Sequence, residues 1–169
     1  VGGGIAYVRS SLPEANLLLG AAWHPSGDFA LVTLNRTKNL VPMTRMQQGW
    51  TITNGIGIVR KDGTADQLLL DGPNHYFADA TDVAFTPDGK RALVTSAGTD
   101  LVAVVDVGRL KALLARATPE ERAEILPNHL GKSLDFVVAR IPVRNSPRGV
   151  TVAPEEYPEN WAQLNQALT

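Results

Sequence analysis

Cysteine is absent from the 169 residues, and that absence removes a range of chemistry. Disulfides, thiolate metal sites, a cysteine nucleophile and covalent c-type haem attachment are all excluded from this stretch. A strong charge of either sign is missing too: 16 Lys and Arg stand against 17 Asp and Glu, for a net −1. Without a basic field no nucleic-acid partner is expected. Long apolar runs are also lacking. Leu101-Val-Ala-Val-Val105 falls far short of the ~20 residues that a helix needs to cross a bilayer, so no membrane span is expected. Histidine is scarce: His24, His75 and His129 stand alone, without the His-x-His or His-x-x-x-His spacing of a self-contained metal site. Asp79, Asp82 and Asp88 do not follow calcium-loop spacing and read as turn caps. No nucleophile elbow, phosphate loop or dinucleotide fingerprint occurs. Val1-Gly-Gly-Gly-Ile5 carries neither an initiator Met nor a leader pattern, so the chain is expected to be a mature or truncated piece.

What is present is repetition. Ala21-Ala-Trp-His-Pro25-Ser-Gly27-Asp-Phe-Ala-Leu-Val-Thr33 aligns without a gap on Val83-Ala-Phe-Thr-Pro87-Asp-Gly89-Lys-Arg-Ala-Leu-Val-Thr95, and a fainter copy opens at Val150-Thr-Val-Ala-Pro154. A strand, a Pro/Gly turn and a second strand, repeated, form one supersecondary unit that buries its apolar face by stacking on its copies. The expected fold is all-β: a partial β-propeller of about two complete four-stranded blades plus flanking strands, with a small helical insertion. Residues 1–16 would end a preceding blade. Residues 17–70 form a blade with a loop insertion at 35–49, and 81–143 a second blade with a helical insertion at 108–135. Residues 144–154 would start a further blade, and 155–169 form a non-repeat tail. Within the second insertion the spacing predicts helices over 108–116 and 119–126, stopped by Pro127, with Leu110, Leu113 and Leu114 covering the blade edge. Two blades cannot close a ring, since propellers use about four to eight. The open edges then need missing chain, another subunit or copies of the same protein.

Leu93-Val-Thr-Ser-Ala-Gly-Thr-Asp-Leu-Val-Ala-Val-Val-Asp106 resembles the repeat of the YVTN family of bacterial β-propellers, and Phe85-Thr-Pro-Asp-Gly-Lys90 and Arg140–Val150 are similar to that family's blade opening and inter-blade bridge. The insertions Lys38–Arg45 and Gly49–Gly55 resemble those of long propellers found beside or fused to c-type cytochrome domains. The resemblance implies an exported, periplasmic setting and a redox neighbour such as a c-type cytochrome. Any haem would then lie in a neighbouring domain or subunit.

The candidate ligand- or partner-binding residues are Arg36, Lys38, Arg45, Trp50, His24 and Arg148. Arg36, Lys38 and Arg45 put three cations beside Met43, Met46 and Trp50, a set suited to an anionic ligand, a haem propionate edge or a partner protein. The plainer and favoured alternative is a loop folded over its own blade with solvated cations. His24 at a blade turn reads first as a turn cap and second as a ligand or base near the channel mouth. No catalytic residues are assigned. The expectation is a non-catalytic scaffold or docking segment of an exported, redox-associated protein. The alternative is part of a propeller enzyme, a lactonase-like hydrolase or cofactor-bearing oxidoreductase, whose site further blades complete and to which His24 and Arg148 contribute.

Overall fold

The computed structural model describes residues 10–37 and 52–153. They form two four-stranded antiparallel meanders and little helix. The first sheet runs β1 (Ala15–Trp23), β2 (Phe29–Thr37), β3 (Ile52–Arg60) and β4 (Ala65–Leu69). The second runs β5 (Ala80–Phe85), β6 (Arg91–Ser96), β7 (Leu101–Asp106) and β8 (Val137–Pro142). Neither sheet closes on itself, and β5 packs against β1 and β2 so that one apolar core spans both sheets. Leu31, Ile56 and Leu68 of the first sheet and Val94 and Val105 of the second are fully buried in it, joined by Phe77 and Phe136 from the connections.

The repeat is legible at the level of single hydrogen bonds. Thr33 and Thr95 close the Ala-Leu-Val-Thr runs, and each sits opposite a bulge in the preceding strand, between register pairs Leu18/Leu34 and Ala21/Val32 in one sheet and Ala80/Ser96 and Val83/Val94 in the other. A bulge leaves a strand N–H without its ladder partner. The Thr33 hydroxyl accepts that bond from Gly20 N at 2.9 Å, and Thr95 accepts the equivalent bond from Asp82 N at 3.0 Å. The turns match as well. Gly27 N donates to His24 O at 2.7 Å and Gly89 N to Thr86 O at 2.8 Å, with positive φ at both glycines.

Several expectations are corrected. Asn35, Arg36 and Thr37 continue β2 instead of opening a loop, because they pair in register with Asn54, Thr53 and Ile52 of β3. Lys38, Arg45 and Trp50 lie outside the described residues, as do residues 1–9 of the segment expected to end a preceding blade. The first insertion helix, α1 (Val107–Arg116), starts where Asp106 accepts from Arg109 N at 3.0 Å, an N-cap. The second insertion helix is a π-helical turn, Glu121–Ile125, and Pro127 stands inside the 3₁₀ turn Leu126–Asn128 that follows it. Leu110, Leu113 and Leu114 belong to the common core, and the turns after α1 pack on the outer strand β4 of the other sheet. The expected strand opening at Arg148 is extended chain without ladder pairing over residues 148–153, held to β5 through side chains.

Candidate functional site

The three copies meet along the inner strands. Gly20, Asp82 and Gly149 occupy the same repeat position in succession, and their environments fit together. A Cβ on Gly20 would stand 2.5 Å from the Asp82 Cα, so β1 and β5 approach too closely there for any side chain. On the other side the Asp82 carboxylate accepts from Val83 N and from Val150 N, both at 2.9 Å. Thr81 Oγ1 donates to Pro147 O at 3.1 Å, and Ser146 N donates to Asp100 Oδ1 at 2.7 Å. These bonds dock the third copy's opening segment against β5 much as β5 docks against β1. Asp82, expected to cap a turn, is instead a seam residue.

At the turn end of the seam stands His24. Its ring stacks on Phe29 at 4.7 Å and meets Phe85 edge-on at 5.1 Å, while Nε2 lies 3.0 Å from the Gly89 carbonyl and Nδ1 2.8 Å from Ser26 Oγ. The imidazole thus joins the turn of one repeat to the turn of the next. In the second turn Asp88 takes the capping role expected of it. It accepts from Thr86 Oγ1 at 2.6 Å and Lys90 N at 2.9 Å, bonds that hold its carboxyl below the usual carboxylate range.

Arg36 is a structural cation. It is 3% exposed on β2, its Nη2 donates to Glu14 Oε2 at 2.6 Å and its Nη1 to Gln67 Oε1 at 3.3 Å. The strand pairing that buries it also removes it from any loop-borne binding set. Arg148 is exposed beside the third-copy seam.

A buried polar node that the sequence did not single out lies in the connection between the sheets. Asp71, 2% exposed, accepts from Asn54 N at 2.5 Å and Phe77 N at 2.8 Å, and burial pushes its carboxyl above the usual range. Arg140 of β8 donates to Leu70 O and, at 3.4 Å, to Ser133 Oγ, which ties the second sheet's outer strand to the end of β4. Only a lone Asp before Gly72-Pro73 signalled this node in the sequence.

Among the described residues several large apolar side chains are uncovered: Leu18 and Leu19 of β1 are each 51% exposed, Trp23 is 60% exposed, and Val138 and Ile141 of β8 are exposed too. Apolar groups of this size in a row mark a surface made to be covered.

No protein-family model matches the chain. The chain is similar to hydrazine synthase subunit beta of Kuenenia stuttgartiensis. The two are 28% identical over 144 residues, which is 84% of this chain and 37% of that subunit. Among solved structures, Kuenenia stuttgartiensis hydrazine synthase superposes with a TM-score of 0.74 at 28% identity, covering 80% of this chain and 39% of the matched one. The chain spans well under half the length of the relatives it matches.

Proposed function

We propose that these residues are consecutive blades of a YVTN-type β-propeller that serves as a non-catalytic docking scaffold in an exported, redox-associated assembly. The observation that carries this reading is the seam: the third copy is docked on β5 by Asp82, while the apolar side chains of β1 are uncovered among the described residues. A stack of units with one end engaged and the other uncovered supports continuation by further units of the same protein or by another subunit. The likeness to a protein named as a subunit supports a place within a larger complex. A c-type cytochrome is the partner that the YVTN resemblance suggests. Covalent haem does not fit this stretch, which has no cysteine, so haem would belong to a neighbouring domain or subunit. One observation favours a second reading, in which the complete ring contributes to catalysis: the relative is a subunit of an enzyme.

The test is native mass together with the ultraviolet–visible spectrum of the intact protein as isolated from its own cells, for wild type and Leu18→Glu. The expected result is an assembly heavier than the single protein, with haem absorption, that the charge on β1 dissociates or prevents from forming. A colourless, stable monomer whose mass and melting are untouched by Leu18→Glu overturns the scaffold reading. Isolated ring protein that turns over substrate without its partners supports the catalytic one.

A further inference from the structure

A second surface, beside the turn end of the seam, has the composition of a ligand site. α1 crosses the turn end of the first sheet and leaves a cleft of about 270 Å³ whose apolar floor is Phe29, Ile58 and Leu114. Three cations line it, Arg60, Lys111 and Arg122, and no acidic side chain does. Arg60 is engaged by Asp66. The other two are not neutralised by any ion pair among the described residues. Lys111 holds its Nζ 4.8 Å above the centre of the Phe29 ring, and Arg122 Nε is sealed from solvent without a hydrogen-bond partner.

We infer that this cleft between β2, β3 and α1 binds a small organic anion with a flat apolar body, an aromatic carboxylate by class. The Phe29 ring and the Ile58 and Leu114 side chains receive the body, and Lys111 and Arg122 receive the carboxylate, the guanidinium by its planar donor fork. The volume sets the size: it lies at the lower end of the roughly 300–1,000 Å³ of drug-sized pockets, so one or two fused rings fit and a macrocycle does not. The site is independent of the ring-scaffold reading, because all its elements lie within the two described sheets and their insertion.

The experiment titrates the intact protein with 2-naphthoate, and in parallel with the neutral 2-naphthalenemethanol, by isothermal calorimetry. Lys111→Gln, Arg122→Gln and the double variant are measured in the same way, and each is checked for an unchanged melting temperature. Naphthoate is expected to bind about ten- to a hundredfold more tightly than the alcohol, the range of a charge-assisted hydrogen bond. The double variant is expected to erase that preference while the alcohol's weak binding persists. Equal binding of acid and alcohol to wild type overturns the inference even if a variant fails to fold. So does acid binding that survives in a folded double variant.

Discussion

Gly27 and Gly89 provide an internally controlled measurement of what the inter-repeat contact contributes. Both sit at the same turn position with nearly the same φ, +70° and +69°. Their surroundings differ. A Cβ on Gly27 meets nothing closer than Lys61 Nζ at 3.8 Å, ordinary contact, whereas on Gly89 it would stand 2.5 Å from His24 Nε2. Replacement by alanine at either site forces an L-residue into the left-handed region, at about 1–2 kcal/mol, and stiffens the unfolded chain to the same extent. Those effects cancel in the difference between the two variants. What remains at Gly89 is the displaced imidazole: its hydrogen bond to the Gly89 carbonyl contributes about 1 kcal/mol, and its packing on Phe29 and Phe85 roughly 0.5–1.5 kcal/mol. Gly89→Ala should therefore cost about 1.5–2.5 kcal/mol more than Gly27→Ala. Gly89→Val should cost more again, since a β-branched residue resists positive φ. Denaturant unfolding of the intact protein measures each variant, and His24→Ala combined with each closes the cycle. In the His24→Ala background the two alanine variants should cost the same. Equal costs in the presence of His24 would refute the argument that this histidine joins the turns of adjacent repeats.

The equivalent threonines make a paired prediction: Thr33→Val and Thr95→Val each leave a bulge N–H unpaired, so each should cost about 1–3 kcal/mol in thermal or chemical melts, while the Ser variants stay close to wild type. Arg36→Met should lower stability by roughly 1–3 kcal/mol and leave the native mass of the assembly unchanged; lost assembly with unchanged stability would return Arg36 to a binding role. Asp71 carries a raised folded pKa, so the native state holds its proton more tightly than the unfolded chain does. Its contribution is complete below the unfolded value of about 3.9 and is lost as pH rises through the higher folded value. The stability difference between wild type and Asp71→Asn, followed by urea unfolding across this acid range, should fall as pH rises; a difference that rises with pH would contradict the burial argument.

The strands were legible because their signal is local. Alternating apolar positions, Pro/Gly turns and a tandem copy determine where chain direction reverses, so both meanders lie where the repeat places them, apart from β2, which runs three residues further through Asn35–Thr37. The helix over 108–116 was equally local, since the Leu110, Leu113 and Leu114 spacing lies within one helix, whereas its Asp106 cap was not singled out. The roles of side chains were not. Arg36 looked like one of three loop cations because sequence distance placed it beside Lys38; strand register with Thr53 buried it, and the exposed Glu14, 22 residues away, reaches in to pair with it. His24 showed only as a turn residue until β5 brought Gly89 from 65 residues away against its ring.

By itself, then, the sequence determined the repeating unit, its order and what chemistry cysteine's absence forbids, because periodicity and composition act over a few residues. Tertiary structure alone decided which polar groups are buried and what the others meet: Asp82 at the seam of three copies, Asp71 and Arg140 between sheets, Lys111 over Phe29. Desolvation and hydrogen-bond pairing depend on residues that are distant in the chain and adjacent only after the sheets have stacked.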